Sequence, residues 1–256
     1  MNTRNNWTRE EHIIAFNVYS SIPFGQIGEG TPEVQRLAKL VGRTVGSASR
    51  KLANFARLDP SLQQRGIKGL SHGAKGEEEV WKEFANDPEQ LALESEKLMA
   101  ARLGKPIEVT SEIETDDLPI AGVEREALVR LRVKQSFFRR RVLSAYRFQC
   151  CVTGLTNQQL LVASHIIPWA DDPGNRLNPK NGLSLNPLHD KAFDRRLMWI
   201  DDDFLVRLSP KLCESNIISK HTTDWLMSFE GKSLLLPENF QPDPILIAKH
   251  ASCCVR

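Results

Sequence analysis

Side chains able to carry chemistry crowd into one stretch, 148–200, which reads FQCCVTGLTNQQLLVASHIIPWADDPGNRLNPKNGLSLNPLHDKAFDRRLMWI. It holds His165, Asn181 and His189, with Ser164 ahead of the first histidine and Asp190 and Asp194 after the second. Imidazole titrates near neutral pH, so a histidine can move a proton or, when neutral, bind a metal ion. A lone histidine is more often structural, and the chain has six. His12, His72, His221 and His250 stand in no comparable pattern and are assigned no role. His165 and His189 are set apart by their surroundings.

Those surroundings predict the elements that position them. Residues 159–163, QLLVA, read as a strand leading to Ser164-His165, with Ile166 and Ile167 prolonging it and Pro168-Trp169 closing it. Residues 170–182 are all turn formers, Leu183 to Leu185 can return as a second strand, and helix signals begin near Pro187. The order is strand, loop, strand, helix. A histidine leaves the first strand, an asparagine sits in the loop and a histidine sits early in the helix.

This arrangement resembles the HNH endonuclease family and its ββα-metal fold, in the branch found among restriction endonucleases. The resemblance rests on Cys150-Cys151-Val152-Thr153-Gly154, Ala163-Ser164-His165-Ile166-Ile167-Pro168, Asn181-Gly182-Leu183-Ser184-Leu185 and Leu188-His189-Asp190-Lys191-Ala192-Phe193-Asp194, and spans roughly 130–203. It implies that His165 is the general base that deprotonates water, that Asn181 fixes the loop and so orients His165, and that His189 binds a metal. It further implies one divalent ion per site, Mg²⁺ first, with Mn²⁺, Ni²⁺ or Zn²⁺ as alternatives. Hydrolysis of DNA to 5′-phosphate and 3′-hydroxyl ends follows. Many family members carry a metal-binding aspartate where this chain has Ser164, and a hydroxyl is a poor ligand for a hard cation. Either Ser164 is a spectator and another oxygen completes the site, or metal binding is weaker. Asp194 is the preferred oxygen donor, ahead of Asp190 and Asp171; pairing with Arg195 or Arg196 is an equal reading.

Basic residues near this segment supply candidate phosphate contacts. From Val123 to Arg147 there are eight: Arg125, Arg130, Arg132, Lys134, Arg139, Arg140, Arg141 and Arg147, opposed by Glu124 and Glu126. A helix is expected here, with Val129, Val133, Phe137 and Leu143 inward and Arg139, Arg140 and Arg141 against the DNA backbone. Lys191 and Arg195 are further candidates beside the cut. Cys150 is read as buried packing and not as a zinc ligand, since no second cysteine pair matches it. Trp199 and Trp225 are read as core and not as base-stacking platforms. FLVRL at 204–208 is a candidate strand, and 201–256 is expected to finish the nuclease domain.

The first half reads as helical: 9–20 capped by Thr8, 32–41 with Thr31 and Pro32 at its start and Gly42 at its end, and 45–57 capped by Thr44. The latter pair resembles a helix-turn-helix with Arg50 and Lys51 facing DNA; a plain helical bundle is an equal reading. Residues 60–76 read as a Gly-rich basic loop and 77–101 as a further helix. No aromatic cage for a flipped base is evident. Residues 104–119 hold five acids and two prolines, and the domain boundary is placed there.

The expected class is therefore α+β: a helical recognition or dimerisation domain at 1–103, an acidic linker at 104–122 and a nuclease domain at 123–256, with its core motif at 150–203. Composition agrees with a folded protein, at 41% hydrophobic and 26% charged residues. The net charge of +2 gives little by itself; its distribution matters more. No run of apolar residues is long enough to span a bilayer, and five cysteines, none before Cys150, do not form a disulfide scaffold. A cytoplasmic protein with reduced thiols is expected, acting on double-stranded DNA as a homodimer and touching no membrane. A restriction enzyme, including the modification-dependent kind, is the leading reading. A non-specific nuclease effector and a DNA-binding protein with a degenerate HNH fold are the alternatives.

Overall fold

The computed structural model describes residues 6–67, 70, 73–212 and 220–254. His72 and Cys213 lie outside the described residues, as does part of the basic loop expected at 60–76. The chain forms two compact units, Met1–Phe137 and Phe138–Arg256. It mixes helix and strand as expected, and the division falls inside a long helix.

In the first unit α1 (Arg9–Ser21) begins with a reciprocal cap: Thr8 accepts from the Glu11 amide, and the Glu11 carboxylate accepts from the Thr8 amide. Helix α2 (Pro32–Val41) ends at Gly42, whose φ of +67° is the left-handed turn that glycine adopts without strain. Helix α3 (Val45–Ala56) starts from the Thr44 cap. Ile13, Ile14, Leu37, Leu52 and Phe55 form a core, with Phe16 and Phe55 rings 5.0 Å apart.

Two expectations change here. The loop at 60–76 contains α4 (Pro60–Gln64), begun by Asp59 and Pro60. The single helix expected at 77–101 is two, α5 (Lys75–Phe84) and α6 (Pro88–Leu103). Asp87 caps the second and Pro88 lacks the amide that would continue the first.

The acidic segment carries α7 (Ile107–Thr110) and is tied down by charge. Its Glu108 pairs with Arg125 at 2.9 Å and its Asp117 with Arg132 at 2.6 Å, while Lys134 pairs with Glu89 of α6. All three cations belong to α8 (Val123–Ala145). These basic residues are thus engaged by carboxylates and do not stand free for phosphate. Val129, Val133, Phe137 and Leu143 are buried, as the helical spacing requires.

The second unit opens with the end of α8 and leads to an antiparallel pair, β1 (Val162–His165) and β2 (Gly182–Leu185). The first strand starts later than the expected 159–163, because Gln158–Leu160 forms a turn of 3-10 helix. Cys150 and Cys151 are fully buried, and the turn beyond them closes with the Gly154 amide donating to the Cys150 carbonyl at 2.8 Å. Asn186 caps α9 (Pro187–Asp194), with Pro187 in its first turn. A second hairpin, β3 (Met198–Ile200) and β4 (Val206–Leu208), takes up part of FLVRL. Helices α10 (Lys220–Met227) and α11 (Pro244–Ser252) follow. No described helix is long and apolar enough to cross a membrane.

Gly182 faces the end of α8 so closely that a Cβ there would meet Val142 and lie 3.0 Å from Phe138. A Gly182→Ala substitution should overpack this contact and lower stability by about 1–3 kcal/mol. Urea denaturation of the two proteins measures the difference, and an unchanged midpoint would refute the close approach.

Candidate active site

The ladder sets the positions of the two key residues on β1. His165 pairs with Gly182 and Ser164 with Leu183, so their side chains leave opposite faces of the hairpin. Because Gly182 offers no side chain across the strand, the space beside His165 is filled by Phe138 of α8. The two rings stack face to face at 3.8 Å with 9° between planes. The Trp169 ring meets His165 edge-on at 5.6 Å.

The half-buried His165 ring has its Nε2 2.9 Å from the Arg176 carbonyl. A carbonyl only accepts, so that nitrogen carries the hydrogen and Nδ1 carries the lone pair. Burial lowers the pKa of His165 below the usual imidazole value, against a smaller opposing effect of the Arg176 carbonyl. A neutral ring with one oriented lone pair has the form a general base needs. Arg176 is held in turn: its Nε donates to the Trp169 carbonyl at 2.8 Å and its guanidinium lies 5.5 Å over the Trp169 ring.

Asn181 closes this loop from within. Its Oδ1 accepts from the Ile167 amide at 2.8 Å, while Nδ2 donates to the carbonyls of Ile167 at 3.0 Å and Asn175 at 3.2 Å. The Asn181 carbonyl accepts from the Ile166 amide at 2.9 Å. The side chain is fully buried and joins the exit of β1 to the entry of β2.

His189 sits in the first turn of α9, which packs against both strands. Its amide donates to Asn186 Oδ1 at 2.9 Å, and its Nδ1 lies 3.1 Å from the same oxygen and so carries the ring hydrogen. That leaves Nε2 as a buried lone pair without a hydrogen-bond partner. The ring packs 5.4 Å from Trp225 and 5.0 Å from Phe229, and burial pulls its pKa down to about 4. Ser164 Oγ is likewise buried and unpartnered.

Among the described residues no cluster of three or more His, Cys, Asp and Glu side chains suited to an ion is present. The His189 lone pair fits a metal, since imidazole nitrogen suits Zn²⁺ or Ni²⁺, whereas Mg²⁺ favours oxygen donors. Ser164 can add only a weak oxygen. Asp194 is not brought to His189: it is exposed, and five residues on an α-helix are about 140° of rotation. Asp171 is exposed and Asp190 half-buried, and neither joins such a cluster.

The basic candidates divide. Arg50, Lys191 and Arg195 are exposed. Arg139 and Arg140 are half-buried, the former reaching the Gln158 carbonyl at 3.4 Å. Arg141 donates to the Leu177 carbonyl at 3.2 Å and lies 5.2 Å over the Phe240 ring. Arg147 pairs with Glu238.

Lys51 requires a correction, because it does not face DNA. It is 6% exposed, bonded to Glu77 and to His12 Nε2 at 3.1 Å, with its ammonium 5.1 Å over Trp7. Position 51 shares the inward side of α3 with Ala48, Leu52 and Phe55.

Sequence reasoning did not single out Phe138, Arg176 or Asn186. Asn186 had a readable signal in its Asn-Pro cap; Phe138 and Arg176 had none, because their partners are distant in sequence.

Residues 150–201, about a fifth of the chain, match the family model described as HNH endonuclease. This segment, which contains His165, Asn181 and His189, is an HNH endonuclease domain. A search of curated proteins finds no match to the chain.

Two outcomes follow. Lys51→Ala strands a buried carboxylate and should cost about 3–5 kcal/mol, whereas Arg50→Ala should stay within about 0.5 kcal/mol; urea denaturation compares them. His189 and His250 are both held near pKa 4 by burial. Their folded values lie below the unfolded value of about 6.5, so their contribution is full above that value and lost as pH falls toward 4. Unfolding free energies measured from pH 7 to pH 4 should decline, and His250→Gln should shallow the slope.

Proposed function

We propose that this protein is a metal-dependent DNA endonuclease of the restriction type, with His165 as general base. The observation that carries this reading is the neutral His165 ring, held by the Arg176 carbonyl and the Asn181-braced loop, inside a segment that matches the HNH endonuclease family. His165 Nδ1 takes a proton from the attacking water. Phe138 covers one ring face, and the Arg176 carbonyl stabilises the imidazolium that forms. Asn181 keeps β1 and the loop in register, so that the lone pair stays aimed. His189 Nε2 and, weakly, Ser164 Oγ would hold the divalent ion, whose chemistry there would be to neutralise charge on the phosphate and stabilise the leaving 3′ oxygen. The products are 5′-phosphate and 3′-hydroxyl ends.

Exposed Lys191 and Arg195, beside His189 on α9 and its end, suit phosphate contacts. The first unit suits site selection or self-association, and the second suits cutting. One catalytic site per chain suits a homodimer making two nicks. Replacement of the usual aspartate by Ser164, with no carboxylate cluster among the described residues, favours one second reading: a DNA-binding protein that has lost cleavage.

Plasmid pools with unmodified and with modified cytosines, incubated with Mg²⁺, Mn²⁺, Ni²⁺ or EDTA, test these readings. Cleavage that needs metal and falls by about two to four orders of magnitude in His165→Ala is expected. Discrete or modification-dependent fragments support the restriction reading, and degradation of every pool supports a non-specific effector. Binding without cleavage under every metal supports the second reading.

A further inference from the structure

We propose that His250, Cys253 and Cys254, at the C-terminal end of α11, form a second metal site, one for a thiophilic divalent ion such as Zn²⁺. It is separate from His189 and rests on no nuclease activity. His250 and Cys254 stand four residues apart, about one helical turn. The Cys253 amide donates to the His250 carbonyl at 3.0 Å and the Cys254 amide to the Ala251 carbonyl at 2.8 Å, so the turn continues past the last residue of α11. It brings Cys254 Sγ to 3.8 Å from His250 Nδ1. A tetrahedral ion at about 2.0–2.1 Å from nitrogen and about 2.3 Å from sulfur holds those two atoms about 3.6 Å apart. The pair is therefore within a few tenths of an ångström of a chelating geometry.

The fold itself orients the imidazole. His250 Nε2 lies 3.3 Å from the Phe193 carbonyl, which only accepts, so Nε2 carries the hydrogen and Nδ1 the lone pair. The Phe193 ring stacks on His250 at 3.8 Å with 7° between planes. A backbone carbonyl on the far nitrogen is the usual support of a metal-binding histidine. The thiol hydrogen has a closer acceptor than Nδ1, since Cys254 Sγ lies 3.4 Å from the His250 carbonyl. Burial keeps the ring neutral near pH 7, so no proton competes for Nδ1. Arg196 is near enough to act on both His250 and Cys254, and its charge opposes a bare cation. Two thiolates offset a divalent ion, and a helix C-terminus favours positive charge. Cys253 supplies the second thiolate: it is a free thiol, exposed and adjacent to Cys254. Among the described residues the three ligands are not gathered as one group, so Cys253 completes the set by rotating its side chain. Binding breaks two S–H bonds, forms two metal–sulfur bonds and releases two protons to solvent.

Titration of the reduced full chain with Co²⁺, followed by ultraviolet thiolate-to-metal absorption, tests this. Saturation at one ion per chain is expected. Zn²⁺ should displace the Co²⁺, and Mg²⁺, which favours oxygen donors, should not. Cys253→Ser, Cys254→Ser and His250→Gln should each weaken binding by at least about tenfold. Affinity should rise about a hundredfold per pH unit while both thiols are protonated, because two protons leave. Circular dichroism checks that each variant keeps its helicity. Absence of the thiolate absorption would overturn the proposal, as would binding indifferent to any of the three substitutions. A rise of only about tenfold per pH unit, the mark of a single thiolate, would overturn it too. The absorption reports sulfur ligands alone and is silent to an ion on His189, so failure here is separate from failure of the nuclease reading.

Discussion

Asn181 is fully buried, so its amide either finds partners within the protein or carries the cost of an unmade hydrogen bond. It finds three, on Ile167 and Asn175. Those bonds span the loop between β1 and β2 and hold the chain just beyond His165. The loop, so closed, brings the Arg176 carbonyl to His165 Nε2, and that contact selects the tautomer of the ring. The hairpin, the loop and the tautomer of the candidate base therefore depend on one side-chain amide.

The same economy operates at His189, through Asn186. One oxygen caps the first turn of α9 and faces His189 Nδ1, so helix initiation and ring tautomer are set together. The opposite nitrogen is buried without a hydrogen-bond partner, and the Trp225 and Phe229 rings pack against the imidazole. Two neutral imidazoles result, each with a defined lone pair, reached by different means: a backbone carbonyl for one and a helix cap for the other.

Charge in the first unit is spent internally. Lys51 and Glu77 meet in the core of the helical unit, and Arg125, Arg132 and Lys134 meet carboxylates from elements around α8. A basic run in sequence is therefore a poor measure of a basic surface. Arg50, Lys191 and Arg195, among the cations that remain exposed, occupy outward helix or cap positions.

By itself the sequence determined what is local. Caps at Thr8, Thr44 and Asp87, the Gly42 stop, the α2–α3 pair and the strand–loop–strand–helix order around His165, Asn181 and His189 all follow from residues a few positions apart. Asp87-Pro88 also marks the break between α5 and α6, although helical spacing on both sides of it had suggested one helix. What depended on distant partners was decided by tertiary structure. Lys51 became an interior ion because Glu77 and His12 fold beside it, and the acidic stretch after α6 became a companion of α8 because Arg125 and Arg132 attract it. Asp194 was separated from His189 by the rotation of the helix they share, and Phe138 reached His165 because Gly182 left room. Short-range spacing encodes helix faces and caps, but the partner of a charge or an imidazole is set by packing between residues that only the folded chain makes neighbours.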